Sequence, residues 1–189
     1  KKVFQGIELR VEHGQLFALL GPNGCGKTTL IHCVLNYLKA QEGIIRIDGR
    51  EHDRIAPAEM AKLVSYVPQS HKKVFPYTVR EVVLMGRAAY VPAYGSPKKE
   101  DVRIAMEALE LLGIEGLADR PYPFLSGGES QLVVLARSIA QQSRMILLDE
   151  PTAHLDSYHE LMVLDKLTLL MKETDLTIFM TTHFPNQAL

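Results

Sequence analysis

The chain has 189 residues, 47% of them hydrophobic, with 13 glycines, 10 prolines and two cysteines, which suits one compact unit able to bury a sizeable core. Lys and Arg number 21 against 22 Asp and Glu, a net charge of -1, so the surplus of basic charge that sequence-independent nucleic-acid binding requires is absent. Cys25 and Cys33 form no spaced disulfide framework and point to a reducing cytosol, while no apolar run approaches the roughly 20 residues that span a bilayer.

The first residues lack the apolar core of a signal peptide. The chain opens on Lys1 and stops at Leu189 soon after a strand-like run, so a piece is expected to be missing at each end. Ile7, Leu9 and Val11 alternate with polar neighbours as in a half-buried strand, His13-Gly14 reads as a turn, and the apolar run Leu16–Leu20 predicts a fully buried strand. Leu30, Ile31, Val34, Leu35 and Leu38 recur at helical spacing, predicting a helix over 28–38. Strands are expected over 44–47, with Asp48-Gly49 as its turn, and over 63–67, stopped by Pro68.

From 78 to about 142 the signals are nearly all helical. Thr78 and Glu81 have capping-box spacing, Ser96-Pro97 predicts an N-cap followed by a first-turn proline, and Val102, Met106, Leu109 and Leu112 line one face before Gly113. A buried strand over 145–148, an amphipathic helix carrying Leu161, Leu164, Leu167 and Met171, and a strand over 176–180 follow. The expected fold is therefore α/β: a core of 1–69 and 143–189 with an antiparallel β portion at its N-terminal side, interrupted by a helical subdomain over 70–142.

Chemistry concentrates at strand ends. Gly21-Pro22-Asn23-Gly24-Cys25-Gly26-Lys27-Thr28 matches the G-x-x-x-x-G-K-[ST] loop, with Thr29 next in line, and lies between a strand and a helix as a phosphate cradle must. Lys27 suits the β- and γ-phosphates and Thr28 a Mg²⁺ ion. Asp149 and Glu150 end the apolar strand over 145–148: the first is placed to hold Mg²⁺ through water, the second to polarise the attacking water. Leu125-Ser126-Gly127-Gly128-Glu129 opens a helix and offers a second anion site. One nucleotide does not need two such sites, so the second is expected to serve a nucleotide held by another copy, head to tail. Gln69 and His183 each follow a strand, Gln69 within reach of metal and attacking water. His13, His32, His52, His71, His154 and His159 show no zinc-ligand spacing, and no zinc is expected.

This ordered set, with Pro68-Gln69, Pro151-Thr152, Leu155-Asp156 and Thr182-His183, resembles the ABC ATPase family over essentially the whole chain. The resemblance implies a P-loop NTPase (RecA-like) core, ATP with Mg²⁺, and roles for each motif. Gln69 becomes the Q-loop glutamine, Ser126 and Gly128 the signature contacts across a dimer, Glu150 the general base, Asp156 the D-loop acid and His183 the switch histidine. Glu129 stands where glutamine is commoner. The stretch from Tyr77 to Arg87 resembles importers of metals, siderophores, haem and cobalamin, and 182–188 those of molybdate and tungstate. That implies a polytopic permease as partner, a substrate-binding protein indirectly, and a place at the cytoplasmic face of the inner membrane. A soluble translation or repair ATPase and a small-molecule P-loop kinase are the rivals; no heptad run supports the first, and the second leaves Ser126 and Gly128 idle.

Overall fold

The computed structural model describes residues 3–69, 76–92, 94–153 and 155–183. Its strands are β1 (Leu16–Leu20), β2 (Arg46–Ile47), β3 (Arg50–Glu51), β4 (Val64–Val67), β5 (Met145–Asp149) and β6 (Thr177–Thr182). β1, β6, β5 and β4 make a parallel sheet in that order, and β2 with β3 an antiparallel ribbon. β5 is apolar up to Asp149 and β6 carries Ile178, Phe179 and Met180 between threonines; both are buried on both faces, as central strands of a covered parallel sheet must be. The register sets Leu20 opposite Thr182 and Asp149 opposite Thr181. The C-terminal ends of β1, β5 and β6 are thereby level, at the edge where open α/β sheets bind ligands.

The helices are α1 (Lys27–Val34), α2 (Pro57–Leu63), α3 (Val79–Leu84), α4 (Lys99–Leu111), α5 (Gly127–Ala140) and α6 (Ser157–Glu173). Alternate residues of the sheet face opposite ways. Leu147 and Phe179 pack with Ile31 of α1 and Leu35 just beyond its end, whereas Ile146, Leu148, Ile178 and Met180 pack with Leu132 and Leu135 of α5 and with Val163 and Leu167 of α6. The helices between β4 and β5 are tied to one another by Arg87, which is 5% exposed. Its Nε donates to Asp101 Oδ1 at 3.1 Å, and its NH1 donates to Ala140 O and Gln142 Oε1, both at 2.9 Å. One buried cation thus joins the end of α3 to α4 and α5.

Several expectations need correction. Residues 7–11 form no strand: Ile7 and Leu9 are exposed, and no ladder pairs them among the described residues. Alternation alone does not make a strand without a partner, and the antiparallel portion is confined to β2 and β3. The helix expected over 28–38 stops at Val34, because Asn36 turns into the left-handed region at φ 58° and the N–H groups of Tyr37 and Leu38 bond back to His32 O. Ser96 does not cap α4. Lys98 takes the cap position, and its N–H donates to Asp101 Oδ2 at 2.8 Å, the same carboxylate that Arg87 holds. α2 was not foreseen, although Pro57 at its first turn is the usual entry signal. The Thr78 and Glu81 capping box forms as expected.

Gly86 packs flat on α5: a Cβ there would stand 2.2 Å from Arg137 O. Gly86→Ala is expected to lower unfolding free energy by about 1–3 kcal/mol, while Gly116→Ala, which meets nothing within 4 Å, changes it by less than about 0.5 kcal/mol; urea midpoints of the two variants check this. The backbone N–H and then the hydroxyl of Thr78 hold the Glu81 carboxyl below its ordinary value, and the N–H of His159 does the same for Asp156. A folded value below the unfolded one means stability that is complete above the ordinary carboxylate range and lost as pH falls through the lowered value. Glu81→Gln keeps the box without titrating, so its thermal stability should fall less than the parent's between about pH 5 and 2; equal losses would remove Glu81 as a contributor.

Candidate active site

β1 ends at Leu20 and the loop beginning at Gly21 returns to the sheet through Gly21 N–H, which donates to Thr182 O at 3.3 Å. Gly24 (φ 79°) and Gly26 (φ 107°) take left-handed conformations, and Gly26 is doubly fixed, since a Cβ would lie 2.6 Å from Val3 Cγ1. Pro22, Asn23, Gly24 and Cys25 form the exposed crest of the loop. Lys27 starts α1 and is 6% exposed; its Nζ donates to Gly21 O at 2.7 Å and Pro22 O at 3.3 Å, and lies 3.1 Å from Glu150 Oε1. The amine therefore sits under the loop that carries the backbone N–H groups. Thr29 lines the groove beside α1 together with Phe4 and Leu30.

The end of β5 supplies two buried carboxylates that face different partners. Asp149, 1% exposed, accepts from Thr28 Oγ1 and from Thr181 Oγ1, each at 2.6 Å. Glu150 has φ 48°, a left-handed conformation costing a residue with a side chain about 1–3 kcal/mol. Its N–H donates to Thr181 O and Thr181 Oγ1, and the turn so fixed sends its carboxylate elsewhere. Glu150 Oε1 meets Lys27, while Oε2 accepts from Gln69 Nε2 at 3.0 Å and lies 3.3 Å from His183 Nδ1. Gln69, Glu150 and His183, from three strand ends, are thus gathered at one carboxylate. Burial, and then the charge of Asp149, push the Tyr66 phenol up to about 12, so it remains a neutral hydroxyl beside the site, 3.5 Å from His32 Nε2.

Thr181 is the residue that sequence reasoning passed over. It holds both Asp149 and the backbone of Glu150; the one signal in the sequence was a hydroxyl residue directly after an apolar run, and the structure buries it completely. Ser126 and Gly128 stand at the head of α5, where Ser126 Oγ accepts from Glu129 N at 3.2 Å, and Gly128 borders Leu155. Asp156 caps α6 through His159 N–H at 2.9 Å. Head of α5 and cap of α6 are neighbours through that Leu155 contact. His71 and His154, with residues 184–188 of the import-like ending, lie outside the described residues.

Thr28 Oγ1 and Asp149 Oδ2 offer adjacent hard oxygen donors, a set that suits Mg²⁺ completed by phosphate oxygens and water. Among the described residues no cluster of three or more His, Cys, Asp or Glu forms a self-sufficient metal cage. No described helix is long and apolar enough to cross a membrane. The arrangement combines a phosphate loop, a buried cation, a metal-suited oxygen pair and a carboxylate oriented by an amide and an imidazole, which together are the equipment for hydrolysing a nucleoside triphosphate.

Comparison with known proteins agrees. The ABC transporter family matches residues 4–153. The chain is 37% identical over 185 residues to the molybdate import ATP-binding protein MolC of Haemophilus influenzae, covering 98% of this chain and 68% of that protein. A metal-chelate type ABC transporter solved in an inward-facing conformation superposes with a TM-score of 0.87 at 36% identity, over 99% of this chain and 70% of that one. A dimeric bacterial ABC transporter cassette superposes with a TM-score of 0.85 at 28% identity, over 98% and 82% respectively. With its phosphate loop, its paired carboxylates and a family match over residues 4–153, this chain belongs to the ABC transporter family as an ATP-binding, ATP-hydrolysing domain.

Proposed function

We propose that this chain powers an importer of a metal, metal chelate or oxyanion, such as a ferric siderophore, haem, cobalamin or molybdate. It acts at the cytoplasmic face of the inner membrane, attached through a polytopic permease and served indirectly by a substrate-binding protein. The observation that carries the mechanism is the presence of two anion-receiving helix starts in one chain, at Lys27 and at Ser126. The import reading is supported by the likeness to the molybdate import subunit and the metal-chelate transporter.

In this reading residues 21–29 hold the triphosphate of ATP, and Lys27 leaves Gly21 O and Pro22 O to neutralise its β- and γ-phosphates. Thr28, Asp149 and Gln69 are the residues that would hold Mg²⁺, and the ion would supply charge neutralisation on the phosphate oxygens. Ser126 and Gly128 of a second copy close over the γ-phosphate, and Asp156 lies along the same face of the pair. Glu150, oriented by Gln69 and His183, takes the proton of a water whose oxygen bonds to the γ-phosphorus as the bond to the ADP oxygen breaks. The core of 1–69 and 143–189 binds and hydrolyses, while the helical portion over 70–142 carries Ser126 and transmits closure to the permease.

ATPase rate measured against protein concentration tests this. Glu150→Gln is expected to bind ATP normally and to lose hydrolysis by roughly 10²–10⁴-fold. Ser126→Arg is expected to be inactive alone, and an equal mixture of the two variants to recover part of the parent's rate, because one composite site in the mixed pair keeps both groups. A rate linear in protein and indifferent to Ser126 would mean a self-contained site.

A further inference from the structure

Glu129 brings a negative charge to the start of α5. Its Oε2 accepts from Ser126 N–H at 2.8 Å, and its own N–H donates to Ser126 Oγ. The helix dipole favours a carboxylate there. The neighbouring N–H groups of Gly127 and Gly128 lie in the first turn, where the helix has no carbonyl to offer them, and a Cβ on Gly127 would meet nothing within 4 Å. The approach to this turn is open, yet an incoming phosphate would meet a carboxylate whose side chain is 29% exposed and so incompletely screened by water.

Arg120 answers that charge. Its NH1 lies 3.4 Å from Glu129 Oε1, the oxygen not used by the cap. Its backbone is anchored independently: the N–H donates to Leu117 O at 2.9 Å and the carbonyl accepts from Val79 N at 3.0 Å. The guanidinium therefore reaches Glu129 from a fixed base at the entry of α3.

We propose that Arg120 is a positioning residue that holds and neutralises the Glu129 cap, so that the head of α5 accepts the γ-phosphate of a nucleotide presented by a second copy without like-charge repulsion. This rests on the composite-site reading above. As a half-exposed ion pair it adds little to stability; its effect falls on closure around ATP. Charge compensation has a signature that a structural role lacks: losing Arg120 alone is harmful, whereas losing both charges is not.

The test is steady-state ATPase of the full-length protein against ATP concentration at low and high salt. Arg120→Ala should raise KM for ATP on the order of tenfold at low salt, with a smaller rise at high salt and an unshifted melting temperature. Glu129→Gln in the Arg120→Ala background, which keeps the cap geometry without the charge, should bring KM back to within about twofold. An unchanged KM in Arg120→Ala, a salt-independent defect, or a defect that Glu129→Gln does not rescue overturns the proposal. Ser126→Arg run alongside separates the two ideas: if it is inactive while Arg120→Ala is indistinguishable from the parent, only the role of Arg120 fails; if it is fully active, the composite site fails with it.

Discussion

Asp149 is a buried carboxylate satisfied by two hydroxyls, Thr28 from the start of α1 and Thr181 from the neighbouring strand. A buried charge without partners costs several kcal/mol, so β5, β6 and the phosphate loop have to meet within hydrogen-bond distance at one point. The rest of the site inherits its placement from that meeting. A one-residue slip of β5 against β6 would send Asp149 to the opposite face and strand it. The apolar layers on either side of the sheet resist such a slip, since Ile146 and Leu147 belong to different cores.

A second set of ties connects the sheet to the helices beyond it. The hydroxyls of Ser65 in β4 and Ser138 in α5 share a buried hydrogen bond of 2.8 Å, and Gln141 Nε2 reaches Val64 O at 3.0 Å. β4 leads to Gln69 and α5 begins just after Ser126, so the amide beside Glu150 and the serine at the head of α5 hang from one bonded frame. Arg87 and the close approach of Gly86 extend that frame to α3 and α4. Packed and hydrogen-bonded elements thus run without a break from the outer helices to the strand that leads to Gln69.

What could be read from the sequence was what local chemistry demands. The glycine spacing before Lys27, the Asp149-Glu150 pair after an apolar strand and the helix start at Leu125-Ser126-Gly127-Gly128-Glu129 each need particular residue types within a few positions, and each lies where expected. What could not be read depends on register or on distant partners. Thr181 acquires its role only because β6 runs beside β5 with Asp149 opposite it, 32 residues away in sequence. Lys98 displaces Ser96 as the cap of α4 because Asp101 is held from outside by Arg87. The alternation over 7–11 fails for the converse reason, having no ladder partner among the described residues, and the apolar spacing out to Leu38 outran α1 because it ignores Asn36, whose tolerance of a left-handed turn lets the helix end before it.

The left-handed backbone of Glu150 sets two kinds of selection against each other. Glycine would relax that conformation, removing the strain along with the carboxylate proposed above as the general base. Drift toward a more stable protein and retention of activity pull in opposite directions here, and the compensating stability has to be found in the surrounding cores. A thermally hardened version of this domain is therefore to be sought at the outer helices and surface turns, leaving the end of β5 as the strained point that the remainder of the molecule holds in place.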